Sequence, residues 1–351
     1  MLLGNLSNSI SSGRNKHRDA HGQYPVFGST GIIGYSSTYE YEGPVILVAR
    51  VGANAGTLNF ASGQYDVSDN TLIITIKQNV YDYNFAYNQL THYKLNKLVF
   101  GSGQPLITSK QLKNIRIPVP PLAEQRKIAE VLGVWDKAIE KQARLIEKLA
   151  LRKRALMQRL LSAKLRLPGF SDPWKELKIN KITIIRKGEQ VNKDVLFSNA
   201  KYPVINGGIT PSGYLDIYNT KANTITISEG GNSCGYVNFM TTPFWSGGHC
   251  YTIEAKDGIN NLCIYQLLKN NEKYIMSLRV GSGLPNIQIK DLGNLKFMIP
   301  TYQEQTAIAE VLTASDREIE LAKEKLERLR RQKRGLMQQL LTGKKRVKYG
   351  N

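Results

Sequence analysis

The sequence predicts an α/β protein, with two small mixed α/β domains joined by two long antiparallel coiled-coil helices in a pseudo-two-fold symmetric arrangement. Three observations predict it. The chain repeats itself, each copy opens with short β-branched runs broken by glycine-rich turns, and each copy closes on a long heptad-patterned stretch.

The repeat fixes the organisation. Segments Gly101 to Leu161 and Gly281 to Leu341 align without a gap at an offset of 180 residues. Glu124 matches Glu304, Gln125 matches Gln305, Asp136 matches Asp316, and Leu156-Met157-Gln158 matches Leu336-Met337-Gln338. The preceding parts agree less well. YPVFGSTGIIGY from Tyr24 is similar to YPVINGGITPSGY from Tyr202, and VARVGANAGTLNF from Val48 to ISEGGNSCGYVNF from Ile227. Domain 1 is expected over 1–120, a first helix over 121–164, domain 2 over 165–301, a second helix over 302–343 and a basic tail over 344–351.

In the domains, VILVARV (Val45 to Val51), TLIITI (Thr71 to Ile76) and NTITIS (Asn223 to Ser228) read as strands. YNFAYNQLTHYKLNKL and NLCIYQLLKNNEKYIMSL read as helices leading into GSGQPLI and GSGLPNI. Gly28 to Gly34 lacks the G-x-G-x-x-G spacing and precedes no helical pattern, which argues against a dinucleotide loop.

The first helix begins after Pro118, Pro120 and Pro121, residues that block helix entry further upstream. A seam stepping four and three residues runs through Ile128, Leu132, Trp135, Ile139, Gln142, Ile146, Leu149, Lys153, Leu156 and Leu160. Its second copy runs through Ile308, Leu312, Ser315, Ile319, Ala322, Leu326, Leu329, Lys333, Leu336 and Leu340. At ~1.5 Å per residue each helix is roughly 60 Å long. A lone helix would expose such a stripe, so the two are expected to bury their seams on each other. Antiparallel pairing would carry the domains to opposite ends. Val131, Leu145 and Leu161 lie beside the seam and are expected to face partner helices.

Charge narrows the function. Lys and Arg number 48 against 28 Asp and Glu, a formal net charge of +20. Such a surplus attracts a polyanion, and DNA or RNA is the commonest one. No basic-then-apolar leader or long apolar run is present, so no membrane role is expected and the cytoplasm is the default compartment. Cys234, Cys250 and Cys263 form no C-x-x-C pair and the four histidines are scattered, so no metal site is expected. No G-x-x-x-x-G-K-[ST] loop, methyltransferase Asn/Asp-Pro-Pro-aromatic motif or nucleophilic triad is found, and no catalytic residue is assigned.

Candidate DNA-contacting residues are the basic, amide and hydroxyl groups of the turns. In domain 1 they are Arg14, Lys16, Arg18, Ser29, Thr30, Arg50, Asn54 and Gln104. In domain 2 they are Arg186, Lys187, Lys193, Asn206, Glu229, Asn232, Ser233 and Asn286. Such groups reach phosphates and base edges. Arg50 and Asn54 correspond to Glu229 and Ser233, so the two domains are expected to prefer different bases.

IPVPPLAEQRKIAEVL…D…LMQRLLSAKLRLPGFSDPWKELKI resembles the central region of type I restriction specificity subunits, and IPTYQEQTAIAEVL…D…LMQQLLTGKKRV resembles their C-terminal copy. YPVFGSTGIIGY, ARVGANAGTLNF, YDVSDNTLII and GSGQPLI are similar to their target-recognition domains. The resemblance implies a non-catalytic subunit that reads a bipartite DNA site with an unspecified spacer. It implies two methyltransferase subunits on the helices and motor-nuclease subunits for restriction, with S-adenosylmethionine, ATP and Mg on those partners. A stand-alone duplicated DNA-binding or architectural protein is the alternative. One departure stands out: an entry segment from Phe170 through WKELKI precedes Gly188, whereas twelve residues precede Gly13, so domain 1 is expected to lack its opening strand.

Overall fold

The structure, a computed structural model, describes residues 1–16, 19, 21–100, 105–281, 283 and 285–348. The chain divides into two compact units, Met1–Ala143 with Glu324–Asn351, and Arg144–Lys323. Each unit therefore takes the first half of one long helix and the second half of the other.

Unit 1 runs α1 (Leu3–Leu6), β1 (Ser7–Ser12), β2 (Tyr24–Gly28), β3 (Gly31–Ser36), β4 (Tyr41–Glu42), β5 (Val45–Ala49), β6 (Leu58–Ala61), β7 (Gln64–Val67), β8 (Thr71–Ile76), α2 (Tyr83–Tyr93) and α3 (Ser109–Lys113) into α4 (Leu122–Leu160). Its main sheet has the order β1-β8-β5-β6. β5 and most of β8 are buried on both faces, which is why their sequences read as continuous apolar runs rather than alternating ones. Ile46, Val48 and Ile74 pack with Phe85 and Leu90 of α2. Val45, Leu47 and Ile73 point the other way, onto Tyr65 and Val67 of a smaller sheet ordered β3-β2-β7-β4.

Unit 2 repeats this plan. It runs from α4 through β9 (Lys175–Lys178), α5 (Ile179–Ile182), β10 (Thr183–Lys187), β11 (Tyr202–Ile205), β12 (Gly213–Leu215), β13 (Thr224–Ser228), β14 (Val237–Met240), β15 (Trp245–Ser246), β16 (Cys250–Ala255), α6 (Asn261–Asn270), α7 (Glu272–Ser277), α8 (Ile289–Gly293) and β17 (Lys296–Ile299) to α9 (Tyr302–Leu340). The sheet β10-β16-β13-β14 has the strand order of its counterpart, and β11 pairs in parallel with β15 as β2 does with β7. As expected, the strand formed by the entry segment WKELKI, β9, has no named counterpart in unit 1, while the edge strand that follows it is kept, β1 holding the place that β10 holds in unit 2. There β9 pairs with β17 over four residues, and the described residues of unit 1 have in that place one bridge, Leu2 to Arg116.

In both units the helix segments are antiparallel. In unit 1, Ile128 and Leu132 of α4 share a core with Met337, Leu340 and Leu341. In unit 2, Met157 and Leu160 share one with Ile308 and Leu312. Every seam position of the two heptad patterns is buried or half-buried, Trp135, Ile139, Ile146, Leu149, Ile319, Leu326 and Leu329 included. Of the three flanking apolar residues, Val131 packs on the unit 1 core and Leu161 is buried in unit 2, leaving Leu145 exposed.

The polar residues of the repeated helix motif now acquire causes. Lys153 sits half-buried in the seam and reaches Asp316 at 2.5 Å; Lys333 reaches Asp136 at the same distance. Each repeated aspartate thus neutralises the seam lysine of the facing helix, which gives the pairing one register. Gln125 donates to the carbonyls of Val80 and Pro120 and accepts from the Asp82 amide, tying the helix start to the start of α2. Gln305 does the same with Pro300 and Asn260.

Glu124 and Glu304 are each 1% exposed. Arg346 donates through Nε and Nη2 to the two Glu124 oxygens at 2.6 and 2.5 Å, and Arg166 does so to Glu304 at 2.6 and 2.8 Å. Bidentate pairing suits a buried carboxylate because both oxygens lose water together. The C-terminal segment is therefore not simply a basic tail, since its Arg346 clamps the start of α4. Hydrogen bonding from Arg346 holds the Glu124 carboxyl below the usual glutamate range, against the opposing effect of burial. A depressed folded-state pKa stabilises above the unfolded value, ~4.3 for glutamate, and the gain is lost as pH falls through the folded value. Thermal melts from pH 7 downward should show unit 1 losing stability below about pH 4.3, with the Glu124→Gln variant losing less over the same range.

Candidate nucleic-acid interface

In each unit the polar turn residues collect where the main-sheet strands end. β5 and β13 both finish in a tight loop that returns as β6 and β14, and the two loops share their hydrogen bonds. Gly56 donates to the Ala49 carbonyl and Gly235 to that of Ser228, while Gly52 and Gly231 donate to Pro105 and Pro285. Gly56 and Gly235 have φ of +91° and +87°, and a Cβ at either would meet the backbone of Asn96 or Met276 within 2.8 Å. Only glycine fits there, so the loop shape is common to both units whatever its side chains do.

Onto this shared backbone the units place different groups. In unit 2, Lys187, Asn206, Glu229, Gly230, His249 and Asn286 line one cleft of about 480 Å³. Four of them are among the residues expected from sequence. Lys187 leaves the end of β10 and donates to Glu229 Oε1 at 2.6 Å, its own side chain 53% exposed. Glu229 is 8% exposed, so it is an acceptor beneath the lysine rather than an open surface acid. Asn206 Oδ1 accepts the His249 amide at 3.0 Å. Tyr251 places its hydroxyl 3.0 Å from both Glu229 Oε1 and the Ile287 carbonyl. Burial, and then the carboxylate beside it, pushes the Tyr251 phenol upward, so it stays a donor.

Unit 1 carries the exchanged solution. Ser12 stands where Lys187 does, at the end of the edge strand, and Arg50 stands where Glu229 does. Arg50 Nη1 donates to Ser12 Oγ at 3.2 Å. Asn70, whose carbonyl accepts the Arg50 amide as that of His249 accepts the Glu229 amide, replaces the histidine. Leu72 replaces Tyr251, and with no carboxylate beneath it no hydroxyl is needed. Both units thus set a cation at one place, from different strands.

The remaining expected residues scatter. Asn54 and Asn232 are exposed at the loop tips, and Ser233 is held inward by donating to the Gly207 carbonyl at 2.6 Å. Thr30 is exposed and Ser29 half-buried at the β2–β3 turn; Lys16 is exposed. Arg14 is 82% exposed and lies 3.7 Å from Glu40. Arg186 alternates away from Lys187 along β10 and pairs with Glu254 at 2.7 Å, outside the cleft. Lys193 is exposed on the short turn Lys193–Val195. Arg18 and Gln104 lie outside the described residues. Sequence reasoning missed Ser12, Asn70, His249 and Tyr251; the weaker repeat offset that aligned Arg50 with Glu229 also aligns Asn70 with His249 and was the signal available.

Among the described residues no His, Cys, Asp and Glu group could hold a metal ion, and no helix is long and apolar enough to cross a membrane. The cysteines are free and buried, with burial pushing the Cys250 thiol up to about 11.

Residues 8–150 and 171–331 match the type I restriction modification DNA specificity domain. The chain belongs to that family. Among relatives of this specificity-family chain, the Methanocaldococcus jannaschii type I restriction enzyme MjaVIII specificity subunit is 26% identical over 344 residues, 87% of this chain and 80% of that one. A Mycoplasma pneumoniae protein named for a type I specificity subunit is 34% identical over 170 residues, 48% of this chain. That match spans 45% of the M. pneumoniae protein, and a similar one spans 39% of a Mycoplasma genitalium protein. In fold, the crystal structure of a type I restriction-modification S subunit from M. genitalium agrees with a TM-score of 0.73 at 21% identity, covering 97% of this chain and 95% of that one.

Proposed function

We propose that the chain is the non-catalytic DNA-specificity subunit of a type I restriction-modification complex, each unit reading one half of a bipartite double-stranded DNA site. The observation that carries this reading is the pair of matched loop scaffolds with exchanged polar groups: Ser12, Arg50 and Asn70 against Lys187, Glu229 and His249. Residues that hold a fold are kept when a unit is duplicated, and residues that touch different targets diverge. Membership of the specificity family and the +20 charge support the same reading.

Two methyltransferase subunits and motor-nuclease subunits are the proposed partners. S-adenosylmethionine, ATP and Mg are placed on them, and this chain chooses where adenine is methylated without transferring the methyl group. Arg14, Lys16, Lys193 and the loop-tip amides are assigned to phosphate and groove contacts around the cation of each unit.

The test is methylation and DNA binding with and without a type I methyltransferase subunit. The complex should methylate a defined sequence and the chain alone should methylate nothing. Its DNA affinity should fall with a log–log salt slope of about −0.9 per phosphate neutralised. Methyl transfer by the chain alone, or binding indifferent to salt, contradicts the proposal.

A further inference from the structure

The unit 2 cleft holds more information than a basic patch. Glu229 uses one carboxylate oxygen for Lys187 and Tyr251. The other, Oε2, is buried, accepts no hydrogen bond among the described residues and faces His249 Nδ1 at 3.5 Å. Both cleft-facing side chains are open to a ligand, Lys187 at 53% and His249 at 62% exposure. The carboxylate itself is not.

The exposed imidazole needs to close only a few tenths of an ångström for Nδ1–H to donate to this unpartnered oxygen, and in that arrangement Nε2 is left as an acceptor. The ammonium of Lys187 offers only donors. A ligand entering the cleft therefore meets a donor beside an acceptor, both oriented from below by one buried acid. In the DNA major groove, adenine presents the complement: N7 accepts and the N6 amino group donates. Guanine offers two acceptors on that edge and would leave Nε2 facing an oxygen.

Resting on the specificity reading above, we propose that Lys187 and His249 read an adenine edge in the half-site of unit 2, and that Glu229 is the positioning residue for both. Tyr251 locks Glu229 in turn, because its hydroxyl also reaches the Ile287 carbonyl. In unit 1 the buried acid, the tyrosine and the histidine are replaced together by Arg50, Leu72 and Asn70, so that half-site is read by another device.

The experiment uses the assembled methyltransferase complex on a DNA library with every base pair of its site randomised in turn. Wild type should show an A·T pair in one half of the site that is relaxed by about tenfold or more in each of Lys187→Met, His249→Ala and Glu229→Gln. The relaxation should fall on the same base pair in all three and leave the other half unchanged. Substituting 7-deazaadenine at that pair should weaken wild type and leave Lys187→Met nearly indifferent. His249 is exposed, so His249→Ala should melt as wild type does, which separates reading from folding. The proposal is overturned if the three variants relax different positions, if the shared position is G·C, or if stable variants keep full discrimination. A wild-type complex that methylates no defined sequence would instead overturn the specificity reading itself.

Discussion

Replacing Arg166 by alanine is expected to destabilise unit 2 by about 3 kcal/mol, the lower end of what removing one partner of a buried ion pair costs. Glu304 is 1% exposed and its carboxylate takes two hydrogen bonds from Arg166 and one, at 3.0 Å, from Trp174. Without the guanidinium, a dehydrated charge is left with the indole alone. The Arg166 side chain is 25% exposed, so water partly re-enters and the upper end of the range is not reached. Arg346→Ala removes the matching clamp on Glu124, but that arginine is 62% exposed and the cost should be smaller, about 1–2 kcal/mol. Denaturant melts of the single variants, and of Arg166→Ala with Glu304→Gln, check the mechanism. The second substitution removes the stranded charge and should recover part of the loss.

These clamps show where sequence reading stops. The helices were legible because their pattern is local: a seam of four-and-three steps needs no knowledge of the rest of the chain, and the gapless repeat said there were two. The strands at Val45, Thr71 and Thr224 were legible for the same reason. Arg346 was assigned to a basic tail because its partner, Glu124, lies 222 positions away in sequence. Likewise Glu229 looked like one more polar loop residue. Its meaning depends on Lys187, 42 positions earlier, and Tyr251, 22 later, which only the sheet brings together. Residue type located the neighbourhood of the cleft. Burial and pairing decided the roles within it, and neither is written in a residue's own identity.

The asymmetry between motif and loop also follows physically. Glu, Gln and Asp of the repeated helix segment bond to backbone carbonyls, a seam lysine or a clamping arginine, so both copies must keep them. The loop scaffold keeps Gly56 and Gly235 for steric reasons and nothing else at the cation position. Freedom there is what the proposed reading of two different half-sites requires.

The largest functional effect should come from exchanging the first unit's globular segment, residues 8–117, for that of a relative with a different site. Each mismatched base pair costs about 1–3 kcal/mol, so a half-site of three pairs shifts preference by roughly two to six orders of magnitude. Sequencing the methylated adenines made by the chimaeric complex, beside those of the parent, tests the central claim directly. The account predicts that one half of the bipartite site changes to the relative's and the other stays as it was. A site unchanged in both halves, or altered in both, would contradict it.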